Sequence, residues 1–168
     1  MIFSGLIFYR EWFYIADGYV GGGYFTAYGS AVDYVCLTHE AILGRYSFAS
    51  YAAMYGGEYR ENFDGIIEQD APCSVCLNKN AQSSIMIPGR NLCYSGWNKE
   101  YHGVLAAGHP GHQAASTFIC VDQFPDVVDG GAANQEGKLL YTVVGKCGSL
   151  KCPPYKQDYE ITCVVCSK

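Results

Sequence analysis

Two stretches of this chain read as copies of one another, and that duplication limits the folds open to it more than any other feature. Sliding the sequence by about 85 positions sets Trp12 on Trp97, Gly18 on Gly103 and Gly23 on Gly108. With one residue of slack, Tyr34-Val35-Cys36-Leu37 falls on Phe118-Ile119-Cys120-Val121. Further on, Cys73-Ser74-Val75-Cys76 corresponds to Cys163-Val164-Val165-Cys166. The first copy spans residues 8–76, the second residues 93–168, and residues 77–92 connect them. The copies differ in sulfur. Cys93 opens the second where the first has Phe8, and only the second carries Cys147 and Cys152 between its central cysteine and its closing pair. The chain's total of nine is therefore odd, which points to one lost partner.

Nine cysteines and 15 tyrosines among 168 residues fit a secreted, disulfide-stapled domain, since oxidised cross-links persist outside reducing compartments. Hydrophobic residues at 49% against charged residues at 16% provide a core and exclude a solvated, disordered chain. With 11 Lys+Arg against 16 Asp+Glu and no basic cluster, the chain lacks the footprint that neutralises phosphates. Nucleic acid is not an expected partner. Neither is a membrane, because the longest apolar run falls well short of the ~18 residues a span requires. The greasy opening from Met1 to Tyr9 has no basic lead-in, and Arg10 and Glu11 follow it instead of a small-residue cleavage site. It does not read as a signal peptide, so secretion is inferred from cysteine chemistry alone.

Short β-branched or aromatic runs punctuated by glycine predict strands at Ala31–Leu37, Ser84–Ile87, Tyr101–Ala106, Thr117–Val121, Lys138–Val144 and Glu160–Val165. No segment sustains a helical apolar period. Only Arg45–Tyr55, rich in Ala, Tyr and Ser and ending at Gly56-Gly57, predicts a turn or two of helix. Twenty glycines, clustered at Gly21–Gly23 and Gly130-Gly131, supply turn chemistry for a mainly β fold.

The succession Cys73-Ser74-Val75-Cys76, Ile87-Pro88, Cys93-Tyr94-Ser95-Gly96-Trp97, Tyr101-His102-Gly103 and Phe118-Ile119-Cys120-Val121 resembles the C-terminal non-collagenous domain of type IV collagen. Gly29-Ser30-Ala31-Val32, Cys147-Gly148-Ser149-Leu150, Cys152-Pro153-Pro154-Tyr155 and the stretch from Glu160 to Lys168 resemble the short-chain collagen C4-like, spongin-type group more closely still. The likeness covers residues 29–168 and is poor over residues 1–28, an N-terminal segment joined to the first repeat. It implies a mainly β, disulfide-rich fold of two tandem, pseudo-twofold-related β subdomains of the non-collagenous type. It also implies disulfides joining Cys93 to Cys166, Cys120 to Cys163, Cys147 to Cys152 and Cys36 to Cys73, with Cys76 left as a free thiol. Domains of that family trimerise and select which collagen chains meet, so the resemblance implies a homotrimer or higher oligomer with other matrix proteins as partners. No Gly-X-Y repeat occurs here, so either a triple-helical part lies upstream or this is a stand-alone relative.

Other chemistries are open to the same residues. Two Cys-x-x-Cys pairs form a tetrathiolate zinc set, although the wide interval from Cys76 to Cys163 and the five remaining cysteines speak against it. A thioredoxin-like role needs a Cys-x-x-Cys opening a helix after a strand, and neither pair does so. Cys76 as a nucleophile needs a base among His102, His109 and His112, against the alternatives of a buried small hydrophobe or an intermolecular disulfide. In His109-Pro110-Gly111-His112 a tight turn sets two imidazoles on one side, a candidate site for a weakly held metal ion, or simply an exposed hairpin tip. Asp122, Asp126 and Asp129 lack the alternation of a calcium loop and read as solvated turn carboxylates. No nucleophile elbow, phosphate loop or paired-carboxylate cleft appears. The expectation is a non-enzymatic, cofactor-free extracellular structural and assembly module. The alternative is a secreted soluble binding protein, lectin-like or metal-binding, associated with defence or biomineral.

Overall fold

The computed structural model describes residues 12–46 and 50–168. Phe8, where the first copy lacks a cysteine, lies outside them. The described chain is all sheet: strands take 41% and curl into a half-barrel, and no helix occurs among the described residues. The strands are β1 (Trp12–Gly22), β2 (Val35–Thr38), β3 (Tyr55–Tyr59), β4 (Gln69–Asp70), β5 (Pro72–Asn78), β6 (Ser84–Pro88), β7 (Asn98–Ala107), β8 (Ile119–Asp122), β9 (Lys138–Thr142) and β10 (Thr162–Ser167). They run β2-β1-β3-β9-β7-β10-β6, with β4 on β3, β5 on β1 and β8 on β7. Every pairing is antiparallel except β3 with β9, which run parallel through Gly57–Lys138, Glu58–Leu139 and Tyr59–Leu140.

Two long strands, β1 and β7, organise the sheet. Gly18 of β1 faces Thr38 on one side and Cys73 on the other. Gly103 of β7 faces Asp122 on one side and Cys163 on the other. In a flat sheet, strands that share a middle neighbour lie about 9.5 Å apart. Yet the Cα atoms of Cys36 and Cys73, on β2 and β5, are 5.7 Å apart and disulfide-bonded. The outer strands must therefore fold toward each other over the middle one, and a side chain at the crossing would obstruct them. A Cβ on Gly18 would sit 1.8 Å from the Leu37 carbonyl oxygen, and one on Gly103 would sit 1.9 Å from that of Val121.

The core follows the curl. Its larger cluster draws Val20, Tyr34 and Tyr59 from the first half and Ala106, Val121 and Leu140 from the second. A smaller one gathers Tyr101, Leu105 and Val165 round the Cys120–Cys163 disulfide. Buried Glu100 bulges from β7 against β10 and accepts hydrogen bonds from Ser167 Oγ and, at 3.0 Å, from Asn78 Nδ2.

Several boundaries differ from those the sequence predicts. The Ala31–Leu37 strand begins only at Val35, the Lys138–Val144 strand stops at Thr142, and Val144 makes an isolated bridge to Glu160. The Arg45–Tyr55 helix is replaced by an open, exposed stretch over its described residues, and Tyr55 opens β3. Strands β1, β3, β4 and β5 had no sequence counterpart. Glycine explains two of them: Gly21, Gly22 and Gly57 look like turns, but they are strand residues where the Leu37, Lys138 and Val20 side chains reach into the space a Cβ would take. A Cβ on Gly57 would lie 2.5 Å from Val20 Cγ1.

Gly18→Ala and Gly103→Ala should each destabilise the oxidised protein by about 3 kcal/mol, the upper range for overpacking a rigid backbone contact. Gly29→Ala, with nothing within 4 Å, should stay within about 0.5 kcal/mol in the same denaturant titration.

Candidate functional site

Four cystines set the framework. Cys36 bonds to Cys73, Cys93 to Cys166, Cys120 to Cys163 and Cys147 to Cys152, with Cα separations between 5.7 and 6.0 Å. Loop closure assigns about 4 kcal/mol of unfolded-state entropy to each of the three long loops and about 2 kcal/mol to the short Cys147–Cys152 loop. Those three therefore hold the fold, while the fourth shapes a surface loop. Four disulfides in a domain of this size suggest an extracellular or secreted protein. With Cys73, Cys163 and Cys166 bonded, the zinc tetrathiolate cannot form. Cys76 keeps a free, half-buried thiol opposite Tyr14, and burial raises its pKa, away from the thiolate a nucleophile needs.

The parallel β3/β9 seam holds a built polar site. Lys138, almost wholly buried, donates from Nζ to the Ala115 carbonyl at 2.9 Å and lies 5.1 Å from the Tyr34 ring centre. Burial lowers its pKa, and the nearby Asp33 charge opposes that. Desolvation pushes the Tyr34 phenol up to about 12, so the ring stays neutral beneath the ammonium. At the end of the seam Arg60 Nη1 lies 3.4 Å from both Glu58 and Glu68, and its Nη2 lies 3.8 Å from Glu136. Arg60 also donates to Asn134 at 2.6 Å, while the Glu136 amide donates to Glu58 at 3.2 Å. Buried Glu58 thus gains its compensating partners from both halves of the chain, as a buried carboxylate must. Sequence reasoning missed Lys138 and Arg60. The one available signal was a lysine opening the otherwise apolar run Leu139-Leu140-Tyr141.

The His109-Pro110-Gly111-His112 turn brings its two imidazoles together, with ring centres 5.3 Å apart. Their ring neighbours are aromatic: Tyr141 lies 5.1 Å from His109 and Phe25 4.7 Å from His112. His109 Nδ1 already accepts the Gly111 amide at 3.0 Å. No group of three or more His, Cys, Asp or Glu among the described residues is placed to hold a metal ion. The turn is thus part of an aromatic cluster where the halves meet, and a metal at His109 and His112 would have to complete its shell with water. The three aspartates are also divided. Buried Asp122 accepts the Phe124 amide at 2.9 Å in a cleft with His102 and Gln123, whereas Asp126 and Asp129 line another cleft with Asp17 and His39. Desolvation raises the Asp122 pKa.

Comparison with known proteins identifies no relative: no family model, no curated protein and no solved structure matches the chain.

The histidine cluster has a pH signature. His112 Nδ1 is buried without a hydrogen-bond partner, and burial followed by the His109 charge depresses the His112 pKa below 6.5. The unfolded chain therefore takes up this proton at higher pH than the folded one, so folding stability falls as pH drops through the ordinary histidine pKa and levels off below the folded value. Thermal unfolding should show a falling Tm from about pH 7.5 to about pH 5.5. His112→Gln should flatten that slope; an unchanged slope would assign it to other groups.

Proposed function

We propose that this chain is a non-enzymatic extracellular structural and assembly module of the collagen-related type, built from one β unit used twice. The observation that carries this reading is register. β1 meets β5 with Gly18 opposite Cys73, a bulge at Ile15 and Tyr14 opposite Cys76. β7 meets β10 with Gly103 opposite Cys163, a bulge at Glu100 and Lys99 opposite Cys166. The flanking bonds correspond as well. Val20 donates to Ala71 as Leu105 donates to Ile161, and Ala71 donates to Gly57 as Ile161 donates to Val143. Glycine, bulge and cystine thus recur at equivalent positions in the two halves. On this reading Cys76 is the counterpart of Cys166 and lacks only its partner.

Assembly is supported by what the fold leaves uncovered. Ile42, Leu43, Tyr46, Tyr51 and Met54 are all exposed along one stretch of the sequence, apolar side chains that a partner surface would cover. Exposed tyrosines add rigid amphipathic contact area at low entropic cost.

A second reading, a secreted soluble binding protein, draws on the cleft of about 350 Å³ lined by Asn62, Asn91, His102, Asp122, Gln123 and Glu160. Amides and carboxylates of this kind suit a polyhydroxylated ligand. Sedimentation equilibrium of the oxidised protein separates the two: the assembly reading expects a homotrimer or larger species, whereas a monomer at every concentration that retains glycans would favour the binding protein.

A further inference from the structure

We infer that Asn91 is an N-linked glycosylation site, read through Cys93 while that residue is still a thiol. The inference goes beyond the assembly reading and rests only on passage through an oxidising secretory compartment, which the four disulfides suggest. A surface asparagine is marked for this modification by the side chain two residues on, a hydroxyl in most cases. Cysteine serves in its place as long as its sulfur is unoxidised. The chain has six asparagines. Five of them, Asn62, Asn78, Asn80, Asn98 and Asn134, are followed at that spacing by Asp, Asn, Gln or Glu. Only Asn91-Leu92-Cys93 carries the signal.

The fold presents this tripeptide well. β6 ends at Pro88 and β7 begins at Asn98, so residues 91–93 lie in the connection between them, outside every ladder. Gly89, at φ 78°, turns the chain out of β6. Arg90 then braces the bend: its Nε donates to the Leu92 carbonyl at 3.1 Å, and its guanidinium lies 4.2 Å from the Tyr94 ring centre. Asn62, Asn78 and Asn134 are committed elsewhere, to the Gly65 amide, Glu100 and Arg60. Asn91 is exposed, and its carboxamide makes no hydrogen bond among the described residues. It borders the open cleft of about 350 Å³ shared with Asn62, His102 and Gln123, so a first sugar has room beside it without displacing any strand.

Timing supplies the thiol. In the folded protein Cys93 is bonded to Cys166 and can no longer serve, but that partner lies 73 residues further along the chain. At a synthesis rate of about 5–20 residues per second, Cys93 waits about 4–15 s for it. In that window the Asn91 Nδ2 attacks C1 of the sugar on a lipid-linked oligosaccharide diphosphate. The N–C1 bond forms, the C1–O bond to phosphate breaks, the lipid diphosphate departs, and one Nδ2 proton passes to a base of the transferase. Cys93 and Cys166 then give up two protons and two electrons to a disulfide oxidant of the same compartment and bond to each other. One thiol with two competing fates predicts partial occupancy.

The test uses the full chain secreted from a eukaryotic host. Peptide:N-glycosidase in heavy-oxygen water should convert a fraction of Asn91 to labelled aspartate, located by peptide mass mapping. Asn91→Gln should lose the glycan mass while keeping secretion and all four disulfides. Cys93→Thr paired with Cys166→Val keeps a signal that oxidation cannot withdraw and should raise the occupied fraction severalfold, whereas Cys93→Ala paired with Cys166→Val should abolish it. Should either paired variant fail to fold, the wild-type chain and Asn91→Gln decide. A secreted, four-disulfide wild-type chain with Asn91 wholly unmodified overturns the inference and leaves the assembly reading standing, as does a glycan that persists in Asn91→Gln. A chain recovered without its disulfides removes the secretory compartment and the inference with it.

Discussion

A single covalent constraint in each half determines the rest of the fold: a cystine that joins the two strands flanking a common middle strand. Flat sheet geometry keeps such strands too far apart for a disulfide, so the bond forms only if the sheet folds sharply about its middle strand. Gly18 and Gly103 are the residues that make this fold sterically open, because the carbonyl of a flanking strand occupies the space where a side chain would begin. Curl, half-barrel shape and the burial of Cys73 and Cys163 follow from those two crossings.

Once each half is curled, it presents an edge that the other completes. The parallel β3/β9 pairing carries this out, and its polar groups explain why it holds a unique register. Glu58 finds Arg60 on its own side and the Glu136 amide on the other, while Lys138 finds the Ala115 carbonyl and the Tyr34 ring. A slip of one residue would turn Lys138 out of its site and leave buried polar groups without partners, a larger loss than any single apolar contact in the seam. The aromatic cluster of Phe25, His109, His112 and Tyr141 closes the same junction from the side. The shared core, with Tyr59 beside Leu140 and with Val20 and Val121 in one cluster, makes the halves one folding unit rather than two beads.

Much of this was legible in residues that act locally. The β-branched runs at Ser84–Ile87 and Tyr101–Ala106 lie within β6 and β7, and the Pro110-Gly111 turn sets its two histidines side by side. Glycine misled where its role was tertiary. Gly21, Gly22 and Gly57 have the look of turn punctuation, yet the Leu37, Lys138 and Val20 side chains of neighbouring segments reach to where their Cβ atoms would be. Tyr55 likewise opens a strand where alanine-rich neighbours read as helix, since pairing with β1 and β9 overrides weak local preference. Lys138, Arg60 and Tyr141 were invisible as site residues because their partners are distant in sequence, and a charged residue in an apolar run gives no hint of which carbonyl or ring will receive it.

Everything returns to the cystine wiring that curls the halves. Peptide mapping under non-reducing, thiol-blocked conditions tests it most directly: the account predicts Cys36 linked to Cys73 and Cys120 to Cys163, with only Cys76 alkylated before reduction. Recovery of Cys73 joined to Cys76, or of Cys36 as the alkylated thiol, would contradict it.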